Sequence, residues 1–227
     1  MATALITGGG GRIAGAAGAR LVRDGWKVLL ADKDFGAAEA MARHIGAGAS
    51  AVELDITNED SVRQIVKSTI ARNGPIDALV NAAGGRTGAN VGLFTETSPD
   101  TWKPIIDLHL RGVLNICQAL LPDMFERKRG AIVSLAAVES FRGDPMSAAF
   151  STAKAAIAIL TETLVRECQP YGVRVNAIIP GSPEALARSG NTDDSPEIAE
   201  AIAFLLSDRA ARTTGACIDV SSGWALH

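Results

Sequence analysis

Thr7-Gly8-Gly9-Gly10-Gly11-Arg12-Ile13-Ala14-Gly15 is the stretch that decides the fold. The apolar residues 2–6 before it are typical of a short buried strand, and the alanine-rich residues 13–24 after it have a helical composition. This order is the geometry of a dinucleotide site, because glycines let the backbone approach a pyrophosphate and the helix N-terminus presents free N–H groups to it. The alternative is a glycine loop that binds no ligand.

A second apolar run, residues 26–31, ends at Asp32, which lies about 20 residues beyond the glycine turn. A carboxylate there can accept hydrogen bonds from ribose hydroxyls and repels a 2′-phosphate, so Asp32 predicts NAD rather than NADP. Lys33 and Arg12 argue in the other direction, because either side chain can reach a phosphate. As an alternative, Asp32 caps the helix that begins near Phe35.

Apolar strands and amphipathic helices alternate along the rest of the chain. We expect further strands at residues 51–54, 76–80, 131–135, 173–179 and 216–220, and helices at 61–72, 102–125, 146–169 and 196–207. Alternation of this kind predicts a single doubly wound α/β domain over residues 1–227, with a Rossmann-like parallel sheet of about seven strands. Ligands of such sheets bind at the carboxyl ends of the strands.

Composition narrows the functional classes. The hydrophobic fraction of 47% is that of a globular protein, and a net charge of −3 gives no basic field for nucleic acid or an anionic membrane. Cys117, Cys168 and Cys217 have neither CxxC nor metal-ligand spacing, which favours buried thiols in a reducing compartment and no metal site. We expect no signal peptide, no segment of membrane-spanning length, and a cytoplasmic protein.

Several motifs, in the right order, make the chain resemble the short-chain dehydrogenase/reductase family over essentially its whole length. Thr7, Gly8 and Gly11 resemble the family's TGxxxGxG turn, although Arg12 and Ala14 stand at the second and third motif glycines. Residues 81–84 are similar to the NNAG motif, and residues 175–181 to the family's Pro-Gly strand end. Residues 130–138 resemble the strand that ends at the catalytic serine, and residues 215–223 the last strand and turn.

The resemblance implies NAD as the cofactor and a set of residues that hold it. Asp55 lies where the family's adenine-contacting aspartate lies. The expected cofactor-binding residues are Thr7, Gly8, Gly11, Arg12, Ile13, Asp32, Asp55, Ile56, Asn81, Ala82, Ala83, Gly84, Lys154, Pro180 and Gly181.

The catalytic residues that the resemblance implies are largely replaced. The family uses a tyrosine of a YxxxK motif as general acid/base, a serine thirteen residues earlier to polarise the carbonyl, and an asparagine on the preceding long helix. In this chain these three positions are Phe150, Ala137 and His109. Of the family's four catalytic residues, only the lysine of the YxxxK motif is present, as Lys154. The family often has a threonine shortly after Pro-Gly, and the matching residue in this chain is Ala185. Residues 186–195 are too short to form the family's usual substrate lid.

A replacement proton donor has to come from nearby side chains. His109 is the first candidate, because imidazole exchanges protons near neutral pH and a neighbouring Lys154 favours its neutral form. The alternative is that His109 only hydrogen-bonds local backbone. Ser134, Ser140 and Ser151 are other hydroxyls, each more typical of an ordinary structural role. Tyr171 lies at the far end of its helix from Phe150 and is too distant to act.

Three functional hypotheses remain open from the sequence. The first is an NAD-linked oxidoreductase for a small alcohol or carbonyl, with Lys154 and His109 as catalytic residues. The second is an inactive subunit that pairs with an active paralogue. The third is a non-redox lyase, isomerase or nucleotide-responsive module. The alanine-rich helix from Met146 and the helix that holds His109 form a dimer interface in the family, so we expect a homodimer, a homotetramer or a hetero-oligomer.

Overall fold

The computed structural model of this protein describes residues 1–85, 92–181 and 193–223. Seven strands form one parallel sheet in the order β3-β2-β1-β4-β5-β6-β7. The strands are β1 (Thr3–Thr7), β2 (Lys27–Asp32), β3 (Ala49–Glu53), β4 (Ala78–Asn81), β5 (Gly130–Leu135), β6 (Val173–Pro180) and β7 (Cys217–Val220). This confirms the predicted doubly wound parallel sheet and its strand number.

Helices connect the strands and cover both faces of the sheet. They are α1 (Arg12–Arg23), α2 (Phe35–Ile45), α3 (Glu59–Asn73), α4 (Pro99–Ile106), α5 (Gly112–Arg127), α6 (Glu139–Arg142), α7 (Ala148–Cys168) and α8 (Ser195–Leu206), with 3₁₀ turns at Phe94–Glu96, Gln169–Tyr171 and Asp208–Ala210. Most of these elements begin and end within a few residues of the predicted bounds.

The two faces of the sheet carry separate apolar cores. Successive side chains of a strand point to opposite faces, so Leu5 and Leu79 pack into the layer under α3, α5 and α7, whereas Ile6 and Val80 pack into the layer under α1, α2 and α8. Strands β1, β4 and β5 are buried along their whole length. Burial on both faces explains why these strands read as continuous apolar runs in the sequence.

The helix expected over residues 102–125 is interrupted, and this part of the prediction is wrong. Helix α4 leads into a π-helical turn, Asp107–Arg111, which carries His109, and α5 follows directly. At the start of α5 the backbone comes close to the loop after β3: a Cβ on Gly112 would lie 2.7 Å from Ile56 Cδ1. Asn115 Nδ2 donates to the Ile56 carbonyl at 2.9 Å, so the helix is fixed to that loop.

One helix among the described residues is long and apolar enough to cross a membrane by length and composition, α7 with the turn that follows it (Ala148–Tyr171, 24 residues). The expectation that no segment approaches that length is therefore wrong. Core helices of globular proteins meet the same criterion, and the buried side chains of α7 include Ile157 and Thr161, on the face packed against the sheet. The criterion alone does not assign a membrane.

Truncating a core side chain of β4 tests the importance of this packing. Leu79 is fully buried between β4 and the helices below it, and Leu79→Ala is expected to lower the free energy of unfolding by about 2–5 kcal/mol, because a cavity replaces the lost methyl groups. Urea denaturation measures the change. Leu93→Ala, at a side chain that is 54% exposed, is the matched control and should shift stability by no more than about 0.5 kcal/mol. Equal losses in the two variants would contradict this.

Candidate functional site

A cavity of about 470 Å³ lies at the carboxyl ends of the central strands. It extends from the turn between β1 and α1, past the end of β2, to the ends of β5 and β6 and the first turns of α7. Ten of the predicted cofactor residues line it: Gly8, Gly11, Arg12, Ile13, Asp32, Ala82, Gly84, Lys154, Pro180 and Gly181. The structure therefore brings most of the predicted site together.

The glycine turn is packed so closely that a side chain would not fit. A Cβ on Gly8, which has a φ of +71°, would lie 2.7 Å from Ala83 Cα, and a Cβ on Gly10 would lie 2.6 Å from Ala37 Cβ. Gly11 N donates to the Gly8 carbonyl at 2.9 Å and closes the turn immediately before α1. The first N–H groups of α1 have no carbonyl partner within their own helix and lie at the cavity, which is the geometry that binds a pyrophosphate.

Asp32 lines the cavity at the end of β2. Its Oδ2 accepts a hydrogen bond from Gly10 N at 3.1 Å, and its Oδ1 accepts one from Asp34 N at 3.0 Å. The residue that caps α2 is Asp34, whose Oδ1 accepts from Ala37 N. The alternative reading of Asp32 as the helix cap is therefore wrong, and its carboxylate lines the cavity.

Arg12 bonds to a carboxylate in this structure. Its guanidinium donates to Asp193 Oδ1 at 2.5 Å, and the same oxygen accepts from Ser195 N at 2.9 Å. The pKa of Asp193 is lowered, chiefly by its hydrogen bonds from Ser195 and further by the Arg12 charge. The pair joins the start of α1, which lines the cavity, to the residues just before α8. Sequence spacing gives no signal for this contact.

A smaller cavity of about 100 Å³ adjoins the first one beside β2 and β3. Asp55, Ile56 and Ala83 line it together with Asp32 and Gly84. Asp55 Oδ1 accepts hydrogen bonds from the backbone N and the hydroxyl of Thr57, and these bonds are the main cause of its lowered pKa. Asp55 is therefore held in the ionised form at the position expected for an adenine contact.

Two predicted cofactor residues, Thr7 and Asn81, lie behind the cavity wall. Thr7 Oγ1 accepts from Ala82 N and Ala83 N, both at 3.2 Å, and so ties β1 to the loop after β4. Asn81 Nδ2 donates to Ser134 Oγ at 3.0 Å and so connects β4 with β5. Neither residue is part of the described lining, so their contribution is to position the residues that are.

Lys154 is the buried cation of the site. Its side chain lines the cavity, is 8% exposed, and donates from Nζ to the Leu135 carbonyl at 2.7 Å. Burial lowers the pKa of Lys154 to about 8, and the charge of Glu139 acts in the opposite direction. A buried ammonium with a pKa this close to neutral can exchange a proton under physiological conditions.

His109 is placed differently from the expectation for a proton donor. It is 1% exposed, and the lining that the structure describes does not include it. Its ring packs edge-on against Phe150 with 5.0 Å between centroids, and a Cβ on Gly84 would lie 2.3 Å from His109 Cε1. Burial, and next the charge of Lys154, lower the pKa of His109 to about 3, so the imidazole is neutral at physiological pH. This placement disfavours proton donation by His109.

The positions of the missing hydroxyls form an apolar cluster. Phe150 and Ala137 pack with Ile105, and both line the cavity where the family places its tyrosine and serine. The nearby serines are engaged elsewhere: Ser140 Oγ accepts from Ala137 N, and Ser151 Oγ bonds Ser147 Oγ. Tyr171 stacks on Phe125 at 4.2 Å, at the other end of α7. These observations agree with ordinary structural roles for all three groups.

Glu139 is a cavity residue that sequence reasoning missed. It is the first residue of α6, only 8% exposed, and it lines the cavity together with Lys154 and Phe150. The signal available in the sequence was its position two residues beyond the missing serine, where an acidic side chain follows a run of apolar residues. The contact between Asn115 Nδ2 and the Ile56 carbonyl was also missed, because the two residues are remote from each other in the sequence.

Some predicted features lie outside the described residues. They are Ala185 and most of the short segment expected at residues 186–195. Within the three described ranges, no group of three or more His, Cys, Asp or Glu side chains could hold a metal ion.

Comparisons with known proteins agree with this geometry. A sequence model described as short chain dehydrogenase matches residues 2–194. The "Inactive 2-(S)-hydroxypropyl-CoM dehydrogenase 2" of Xanthobacter autotrophicus is 35% identical over 89% of this chain and 96% of the relative.

Two solved structures superpose over nearly the whole chain. One is 3-ketoacyl-(acyl-carrier-protein) reductase from Brucella melitensis complexed with NADH, with a TM-score of 0.90 at 28% identity over 99% of this chain and 98% of the other. NAD⁺-bound xylitol dehydrogenase has a TM-score of 0.87 at 28% identity over 98% of both chains.

The buried imidazole predicts a specific loss of stability in acid. The unfolded chain binds the His109 proton near pH 6.5 and the folded chain only near about 3, so the free energy of unfolding falls as the pH drops through this interval. His109→Asn should flatten the decline, and the stability difference between wild type and variant should change by about 3 kcal/mol between pH 7 and pH 4. Urea titrations at several pH values measure it, with His44→Asn, on the exposed part of α2, as control. A constant difference would contradict the assignment.

Proposed function

The chain belongs to the short-chain dehydrogenase/reductase family of oxidoreductases, and from that premise we propose that it binds NAD(H) and transfers a hydride between this cofactor and a small carbonyl or alcohol. The observation that carries the proposal is the continuity of the cavity, which runs from the glycine turn to the Lys154 ammonium. A dinucleotide and a small acceptor fit along such a path, because its two ends offer different chemistry. One end carries helix N–H groups and Asp32, and the other carries Glu139 and Lys154.

The chain's residues fit NAD at each part of the molecule. The side-chain-free turn at Gly8 and the N-terminus of α1 suit the pyrophosphate, Asp32 suits the adenosine ribose, and Asp55 lies at the adenine end. Lys154 suits the second ribose. When bound, NADH supplies a hydride to the acceptor carbon.

The electrostatics of the adenosine end support NAD rather than NADP. The Asp32 carboxylate lines the end of the cavity that suits the adenosine ribose, and its negative charge would repel a 2′-phosphate there, while the Arg12 guanidinium is bonded to Asp193. Lys33 also borders the smaller cavity, so its charge is available there. Because Asp32 is closer to the turn and accepts the Gly10 N–H, we infer that its effect dominates.

We assign proton transfer to Lys154. A carbonyl oxygen that gains negative charge needs a donor, and neither Phe150 nor Ala137 has one. Lys154 Nζ keeps two N–H bonds beyond the one that it donates to Leu135, lines the cavity, and has a pKa of about 8, so it can give a proton to the oxygen near neutral pH. His109 is the less favoured donor, because its imidazole is neutral and lies behind Phe150.

A catalytically inactive subunit is the second candidate function. The apolar cluster of Ile105, Ala137 and Phe150 favours it, because this cluster stands where the family has its proton-donating hydroxyls and has no proton to donate. A relative that is 35% identical carries the word "inactive" in its name. In this reading the chain binds NAD(H) for stability and supports an active paralogue.

We further propose a cytoplasmic homo-oligomer, or a hetero-oligomer in the second reading, assembled through the outer faces of α5 and α7. Support comes from α7, where Ile159 is 63% exposed on a helix whose other face packs against the sheet. Burying such a side chain in a helical interface is favourable, because it removes apolar surface from water. Gel filtration with light scattering measures the assembly.

Cofactor affinity tests the binding part of the proposal. The protein should bind NADH more tightly than NADPH in a fluorescence titration. Asp32→Asn should weaken NADH binding by about tenfold and narrow the gap to NADPH, because a charge-assisted ribose contact and the repulsion of the 2′-phosphate are both lost. Asp60→Asn on α3 is the matched control. Tighter binding of NADPH by the wild type would overturn the assignment.

Turnover tests the proton transfer. Lys154→Met should abolish reduction of a ketone panel by NADH, and the wild-type rate should fall as the pH rises above about 8, since the ammonium is then lost. Phe150→Tyr combined with Ala137→Ser should raise the rate by about 10² to 10⁴, the contribution of a positioned general acid. A folded, NADH-binding double variant without any gain would contradict this, and activity retained by Lys154→Met but lost in His109→Asn would assign the proton to His109.

A further inference from the structure

Arg12 places a guanidinium at the start of the helix that faces the cavity. It is the first residue of α1 and lines the cavity, at a position where the family's motif has a glycine and therefore no side chain. The first turn of α1 contains no acidic residue. The partial positive charge of the helix N-terminus and the full charge of Arg12 therefore add together, and both favour an anion at this point.

A carboxylate from another part of the chain binds that guanidinium. Asp193 Oδ1 accepts a hydrogen bond from Arg12 Nη1 at 2.5 Å and a second one from Ser195 N at 2.9 Å. The bond from Ser195 N holds the carboxylate at the start of α8 whether or not Arg12 is there. The cation at the start of α1 is thus bonded to a negative group that belongs to the chain itself.

The next residue in the chain is also bonded to the cavity wall. Asp194 is 6% exposed, and its Oδ2 accepts a hydrogen bond from Gly181 N at 3.2 Å. Gly181 lines the cavity at the end of β6. Residues 193 and 194 therefore hold two carboxylates against residues of the cavity lining, one on Arg12 and one on the backbone of Gly181.

We propose that Asp193 is an internal competitor of the cofactor, whose pyrophosphate takes the Arg12 guanidinium from this carboxylate on binding. The inference rests on the proposed NAD(H)-dependent function and names a contact that regulates affinity at the same site. One set of charge-assisted hydrogen bonds replaces another, and Asp193 keeps the bond from Ser195 N. Guanidinium groups bind phosphate with the same fork of N–H groups that binds a carboxylate, so the exchange needs no new donor.

Position and exposure both permit this exchange. The side chain of Arg12 starts from the first turn of α1, whose free N–H groups suit the pyrophosphate, so its guanidinium can reach the same phosphate. The side chains of Arg12 and Asp193 are 63% and 46% exposed, and ion pairs with such exposure contribute little to stability. The carboxylate therefore lowers the affinity for the pyrophosphate without preventing its binding.

Titration of the protein with NADH tests the competition. Asp193→Asn should strengthen NADH binding by about three- to fivefold, because the amide keeps the shape of the side chain but loses the charge that competes for Arg12. Glu200→Gln is the matched control, since Arg20 Nε donates to Glu200 Oε1 at 2.7 Å and joins the same two helices away from the described lining. Its affinity should equal that of the wild type. An unchanged or weaker affinity in Asp193→Asn, or an equal gain in both variants, overturns the inference.

A double-mutant cycle separates partner exchange from simple repulsion between Asp193 and the pyrophosphate. Arg12→Met should weaken NADH binding by about tenfold, because a charge-assisted contact with the phosphate is lost. In the Arg12→Met background, Asp193→Asn should strengthen binding by less than about twofold, since no guanidinium remains to be released. An equal gain with and without Arg12 assigns the effect to repulsion and overturns the exchange.

A comparison of NADH with NADPH shows which phosphate receives the released guanidinium. The pyrophosphate is common to the two cofactors, whereas the 2′-phosphate belongs to NADPH alone. Asp193→Asn should therefore raise both affinities by the same factor and leave the preference of the wild type unchanged. A gain confined to NADPH would assign Arg12 to the 2′-phosphate and contradict the proposed exchange.

The wild-type titration separates this inference from the function on which it rests. Absence of NADH binding removes the proposed function and this inference with it. NADH binding that Asp193→Asn does not alter removes only the competition and leaves the proposed function standing. Asp193→Ser, which is also uncharged, should reproduce the gain, and a melting temperature within a few degrees of the wild type shows that each variant is folded.

Discussion

No side chain fits on the turn between β1 and α1, and the rest of the cavity depends on this steric constraint. Gly8 is in contact with the backbone after β4, Gly9 with β2, and Gly10 with Ala37 of α2, so the turn is enclosed by three other elements. A Cβ at any of these glycines would lie within 3 Å of its neighbour and would move the turn away from the sheet. Because the turn is held there, the N-terminus of α1 faces Asp32 and the ends of β5 and β6 across one continuous space.

The sequence predicted the elements whose residue patterns do not depend on contacts with remote parts of the chain. Strands such as β6 are apolar on both faces, and a buried parallel strand leaves that signature whatever its neighbours are. The positions of the glycine turn and of Asp32 could also be predicted, because the spacing between them along the chain is set by one helix and one strand. What the sequence did not show depends on contacts between remote residues. Asp193 reaches Arg12, Asn115 reaches Ile56, and Glu139 reaches the cavity only after β5 and α7 are in place.

At the catalytic end of the cavity, the surroundings of a side chain decide its protonation state as much as its residue type does. His109 was a reasonable proton donor by residue type, since imidazole titrates near neutral pH. The fold surrounds it with Phe150, the Gly84 backbone and the charge of Lys154, and this environment favours the neutral ring. Lys154, in contrast, keeps a family residue while its setting changes, because an aromatic ring without a hydroxyl and a buried carboxylate now lie beside it.

The contact between Gly84 and His109 has an evolutionary consequence. The imidazole occupies the volume that any side chain at position 84 would need, with only 2.3 Å left to its Cε1. Position 84 is therefore constrained twice in evolution, because its φ of +110° disfavours every residue except glycine and the ring at 109 also fills the space that a Cβ would take. A smaller residue at 109 removes only the second constraint, so this turn keeps its requirement for glycine even after the histidine is lost.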